Sequence, residues 1–137
     1  MAICPRPGVH PPARRRVSQD HPDPKSLLLD VRIYRIPPGK ATEFDQLIRN
    51  ETVPLARSFG HLVVAYGPSV EDSDVYFLVR SFPTREDRRV SLERLFTSAD
   101  WQDRYDKRVS ELLVSYETVV LPVASGVVTA WTGFIEG

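Results

Sequence analysis

Between Leu27 and Val123 the spacing of apolar residues switches period five times, reading strand, helix, strand, strand, helix, strand. Few architectures accept that order. It describes one split sheet with helices on a single face, an α+β arrangement. The other face must find a partner or a ligand, so the pattern predicts a dimer enclosing a small-molecule cavity. It names no reaction.

The first strand alternates Leu27, Leu29, Val31 and Ile33 with Leu28, Asp30, Arg32 and Tyr34, and Pro37, Pro38 and Gly39 end it. A helix is predicted from about Lys40 to Phe59, with Phe44, Leu47, Ile48 and Leu55 on one side and Gly60 as a left-handed stop. Pro54 must kink or split it. Glu51 shares the apolar stripe, unless the kink rotates it to solvent. His61 to Pro68 and Asp74 to Pro83 read as a hairpin, turned by the polar run Glu71, Asp72, Ser73, Asp74. Thr84 with Asp87 resembles a capping box, opening a helix that carries Val90, Leu92, Leu95 and Phe96. After an interruption at Thr97 and Ser98, Trp101, Tyr105, Val109, Leu112 and Leu113 recur at helical spacing. Ser115 to Val123 is the fourth strand. The expected sheet order is four, one, three, two.

Both ends differ from this 27–123 domain. Residues 1–26 hold six of the twelve prolines and the run Arg14, Arg15, Arg16, with too little apolar surface to order themselves, so a flexible tail is expected. Its prolines also break the amphipathic helix that a transit peptide needs. Residues 124–137 are too apolar for a loose end: Val127, Val128, Trp131, Phe134 and Ile135 call for an added edge strand or, preferably, an arm across a second subunit.

Composition removes several classes of function. Eighteen basic and eighteen acidic residues cancel, leaving no field to gather nucleic acid or an anionic membrane. Cys4 is the only cysteine, so no internal disulfide or thiolate metal site is expected, and a reducing, cytoplasmic setting is the simplest expectation. Phosphate-binding glycine loops, paired zinc histidines and serine elbows do not occur, so no cofactor or metal is predicted.

Residues from about Asp30 to Val123 resemble the NIPSNAP family. The likeness is carried by Pro38, Gly39, Lys40 with Glu43 and Phe44; by Val53, Pro54, Leu55; by Ser98, Ala99, Asp100, Trp101, Gln102; and by Arg85 and Arg89. The resemblance implies a ferredoxin-like βαββαβ subunit that pairs into a dimeric α/β barrel. Related barrels include cofactor-free monooxygenases, haem-degrading enzymes and small decarboxylases or cyclases, so fold says little about reaction. The chain departs from the family at Phe77, Leu78, Val79, where a tryptophan is common, which implies a reshaped cavity wall.

Candidate chemistry comes from the sheet face that the helices leave bare. With Val31, Ile33, Val75, Phe77, Val79, Val119 and Leu121 placed under the helices, the bare face presents Arg32, Tyr34, Tyr76, Arg80 and Tyr116. Guanidiniums among phenols suit a carboxylate, an enolate or a phenolic oxygen. Alternatively, Arg32 and Arg80 pair with Glu117, Asp30 or a partner subunit and the tyrosines merely pack. His61, at the mouth of the barrel, is a candidate general base or else a strand-end residue bonded to backbone; as a haem ligand it lacks any supporting signature. The candidate catalytic set is His61, Arg80 and Tyr34, with Arg32, Tyr76, Tyr116 and Tyr66 as substrate-binding residues. Two functions stay open. One is a cofactor-free biosynthetic enzyme that cyclises, isomerises or oxygenates an apolar, oxygen-bearing metabolite. The other is a non-catalytic ligand-binding or scaffolding homodimer.

Overall fold

A computed structural model describes the backbone of residues 26–136 and the side chains of residues 26–132. The segment expected as a flexible tail lies, but for Ser26, outside the described residues. Four strands, β1 (Ser26–Arg35), β2 (Leu62–Pro68), β3 (Val75–Phe82) and β4 (Ser115–Ala124), form one antiparallel sheet in the order β2-β3-β1-β4. This is the expected order, in a ferredoxin-like α+β fold.

The turns form where the sequence places them. Gly39 and Gly60 both take positive φ, +84° and +89°, which a side chain would strain. In the β2–β3 turn the Asp72 carboxylate accepts the Asp74 N–H at 2.9 Å, an Asx turn that fixes the hairpin. Thr84 caps α3 (Arg85–Phe96) by accepting the Asp87 N–H at 3.0 Å.

Both helical segments contain a widened turn. The first runs through α1 (Ala41–Leu47), a π turn at Ile48–Thr52, and α2 (Val53–Ser58). Pro54 stands in the first turn of α2; it has no N–H for the carbonyl one turn back and its ring crowds that carbonyl. Adding a residue to the preceding turn relieves both problems, so the chain widens where a kink or break was expected. Beyond α3, a second π turn at Trp101–Tyr105 leads into α4 (Asp106–Glu111).

The side on which the helices pack reverses the expectation. Tyr34, Tyr76, Leu78 and Phe82 form one core with Phe44, Leu47, Val53, Leu95 and Trp101 of the helical layer. Val31, Phe77, Val79 and Leu121, expected beneath α1–α4, lie on the opposite face. Alternation identifies residues that share a face but not which face the helices choose. Aromatic rings and long arginine stems fill the deep space under helices, whereas short β-branched side chains suit a flatter contact.

That flatter face is partly covered by α5 (Ser125–Glu136), which replaces the expected edge strand or arm. It packs on β2 and β4, burying Val128 against Leu29, Val64, Ala65 and Val79, with Trp131 at the margin. Val128 and Trp131 are one helical turn apart and so share the sheet-facing stripe. The rest of the face stays open: Val119 is 56% exposed. No described helix is long and apolar enough to cross a membrane.

Candidate functional site

Alternation along β1 sends Asp30, Arg32 and Tyr34 to one face, the face the helices cover. On β3, Arg80 stands directly opposite Asp30, and Leu78 opposite Arg32. Three charged side chains are thereby carried inside, with Asp30 and Arg32 each 0% exposed. Burial of that kind persists only where charges are paired and bonded.

Asp30 supplies the pairing. Its Oδ1 accepts from Arg80 Nη2 at 3.0 Å, and its Oδ2 accepts from Arg88 Nε of α3 at 2.6 Å. Burial by itself would raise the Asp30 carboxyl, but Arg80, Arg32 and Arg88 outweigh it and hold the group below the usual carboxylate range. Burial pulls Arg80 below its ordinary value despite the neighbouring carboxylate, and the guanidinium stays cationic. Arg32 donates through Nε to Thr118 Oγ1 at 3.1 Å and lies 5.0 Å above the Tyr116 ring.

Above these groups is a cavity of about 30 Å³. Its floor is Arg32, Tyr34, Val63, Leu78 and Arg80 of the sheet; its walls are Ile48 and Thr52 of the first π turn, Val53 and Ala56 of α2, Leu95 and Phe96 of α3, Trp101 of the second π turn and Val109 of α4. Both widened turns therefore face the same space, a recurrent position for such turns at functional sites. Arg80 Nε, fully buried, has no hydrogen-bond partner. As the cavity stands, it holds about two waters.

Of the predicted site residues, the structure brings Arg32, Tyr34 and Arg80 together on the cavity floor, beneath the helices and not on the bare face. The other four are elsewhere. Tyr76 packs edge-on to Phe44 and donates its hydroxyl to Asp45 at 2.6 Å; burial and that carboxylate push its ionisation far up. Tyr66 is half-buried with Arg49 over its ring at 5.2 Å. Tyr116 supports Arg32 from below without lining the cavity.

His61 is buried against Phe82, with Nε2 3.0 Å from the Ser91 carbonyl of α3. A carbonyl only accepts, so Nε2 carries the proton and Nδ1 is the ring's acceptor. Burial lowers its pKa from the ordinary value, and it does not line the cavity. The backbone-bonded alternative is the one realised, and an engaged Nε2 does not suit a haem ligand. Glu51 turns outward, gripping Arg108 through both oxygens at 3.1 and 3.2 Å. Among the described residues, no group of three or more His, Cys, Asp or Glu side chains could hold a metal ion.

The sequence reading offered Asp30 as an alternative partner for Arg80, which the structure realises, but missed its bond to Arg88 of α3 and missed Thr52 and Trp101 as cavity walls. The signal for Asp30 was present, since it shares parity with Arg32 and Tyr34. Thr52 and Trp101 depend on the widened turns, which apolar spacing does not reveal.

The sequence profile of the NIPSNAP family matches residues 29–125. A NIPSNAP family protein from Agrobacterium tumefaciens is 24% identical, with a TM-score of 0.65 over 69% of this chain and 90% of that one. A second protein from that organism, of the same family and of unknown function, is 18% identical with a TM-score of 0.68 over 76% and 94% of the two chains. A candidate antibiotic biosynthesis monooxygenase from Nitrosomonas europaea gives 16% identity and a TM-score of 0.56 over 69% and 88%. At these identities the solved structures establish the shared fold alone. No curated protein matches the sequence.

Proposed function

The chain belongs to the NIPSNAP family, and from that premise we propose that it is a homodimeric small-molecule-binding protein of the cytoplasm. We further propose that it acts as a cofactor-free enzyme that cyclises, isomerises or oxygenates an apolar, oxygen-bearing metabolite in a biosynthetic pathway. One observation carries the reading: two arginines and a tyrosine of the sheet line a cavity otherwise walled, Thr52 apart, by apolar side chains. In such a low-dielectric space, a guanidinium stabilises negative charge developing on an enolate or phenolate oxygen without reorganising. Arg80 has the oxyanion-binding role, Arg32 reinforces it, and the Tyr34 hydroxyl orients the substrate or passes a proton. The ligand enters by displacement of the walls formed by the two π turns. Similarity in fold to the candidate monooxygenase supports an oxygenation as one of the three chemistries.

The open sheet face supports the dimer. Val31, Phe77, Val119 and Leu121 form an apolar strip that α5 covers only at one end, and a second copy is the simplest cover for it.

The reading is tested by incubating the purified protein with an apolar metabolite extract under air, with no metal or flavin added, and following the metabolites by mass spectrometry. At least one oxygen-bearing compound should be consumed, and Tyr34→Phe should slow its consumption by about 100-fold. A compound that is retained but never converted would favour the non-catalytic binding or scaffolding dimer. The small cavity and the Asp30 carboxylate already bonded to Arg80 favour that second reading.

A further inference from the structure

The ionic arrangement under the helices narrows the class of ligand. Asp30 divides its two oxygens between two guanidiniums, Oδ1 to Arg80 and Oδ2 to Arg88. One negative charge is thus shared by two positive ones. Arg88 is 18% exposed and reaches solvent, but the Arg80 side chain is 3% exposed and does not. Arg80 lines the cavity and turns Nη2 to Asp30, while its Nε, an obligate donor, is buried without an acceptor. A buried donor in that condition is costly. Any occupant that supplies an acceptor satisfies it, and one that also carries negative charge balances the surplus cation.

From this we infer that the cavity is an anion subsite, built for a planar carboxylate or enolate whose oxygens meet the Nε edge of Arg80. The inference rests on the ligand-pocket reading above and narrows it to one chemical class. Size agrees, because space for about two waters is space for the two oxygens of a carboxylate head. Phe96, Trp101 and Val109 line the same cavity and give the head an apolar surround, in which a charge-assisted bond is stronger than in water. The natural ligand is then a small acid, or a ketone that becomes an enolate on the protein, with its apolar body towards these walls.

Formate and formamide test the inference, being equal in shape and different in charge. A three-atom ligand binds no tighter than roughly the submillimolar range, so the assay is an NMR titration of the full chain labelled with 15N-arginine, at constant ionic strength. The buried Arg80 Nε–H should give its own resonance, identified by its loss in Arg80→Lys. Formate should shift that resonance saturably, and formamide should require at least about ten times the concentration. Arg80→Lys keeps a cation for Asp30 but removes the Nε donor, so formate binding, followed on neighbouring amides, should weaken at least about ten-fold with the fold intact. If the lysine variant fails to fold, through-bond correlation along the Arg80 side chain in uniformly labelled protein assigns the Nε–H resonance, and its shift in the wild-type protein decides. Equal binding of formate and formamide would overturn the anion class and leave the pocket reading standing. Formate binding that leaves the Arg80 resonance unmoved, or no saturation by formate, would overturn the subsite itself.

Discussion

The two faces of this sheet invert the usual relation between polarity and burial. Beneath α1–α4 lie Asp30, Arg32 and Arg80, three of the least exposed side chains in the chain. On the reverse face Val119 is 56% exposed, and Val127 of α5 is 48% exposed. A polar group is tolerated inside when a partner is built for it, and an aliphatic face stays outside when its cover is not part of the same layer. Buried charge therefore marks where partners are built into this protein, and exposed aliphatic surface marks where the same layer supplies no cover.

The contrast is most directly broken at Asp30. Replacing Asp30 with Ala leaves Arg80 buried beside a second cation and should cost about 3–5 kcal/mol in urea unfolding; a loss below about 1 kcal/mol would mean that the helix-covered face is wetter than described. On the reverse face, Leu29→Ala beneath α5 should cost about 2–3 kcal/mol. The same substitution should cost distinctly less in a chain ending at Ala124, because α5 provides the cover. An equal cost in both chains would show that α5 does not seal that end.

Titration sharpens the comparison from the covered side. The folded His61 pKa lies below its ordinary 6.5, so the unfolded chain takes up a proton first as pH falls. The neutral ring's contribution is fully present above about pH 6.5 and is lost as pH drops through the folded value. Unfolding midpoints should thus decline below that pH, and His61→Gln should remove this component of the decline. Asp30, with a depressed folded pKa, is protected until far lower pH; its stabilisation is present above the ordinary 3.8 and is lost on further acidification. The smallest effect is expected at Val119. Val119→Ala should change stability by less than about 0.5 kcal/mol in dilute solution. A loss that grows with protein concentration would identify the open face as a contact between copies.

Much of the fold was legible because turns and strand parity are local. Gly60, the Asp72 turn and the Thr84 cap each act within a few residues, and the sheet order follows from the order of elements. Arg32, Tyr34 and Arg80 were grouped correctly for the same reason, since parity along paired strands determines which side chains meet. The side they occupy was not legible, because it depends on whether rings and arginine stems or β-branched groups fit better beneath helices. Residues 125–136 were misread because an apolar run with a single charge at its end suits a buried strand and a packed helix equally; only the contact of Val128 with Leu29 and Val64 decides between them. Tyr76 and Tyr116 were nominated by the same parity and His61 by its place at a strand end, and each of them, like Tyr66, is engaged by a partner outside the cavity chemistry.

The widened turns at Ile48–Thr52 and Trp101–Tyr105 also govern how lengths can vary in this chain. An extra residue absorbed in a π turn shifts everything downstream by about 100° relative to an uninterrupted α-helix. Deleting one residue from either turn would therefore close it to an ordinary α turn and leave Ala56 or Val109 facing the space they line, whereas a deletion in the regular helix beyond the turn would spin the residues after it away by the same angle. In this lineage, a single-codon loss would be milder in those two places than anywhere else along the same helices.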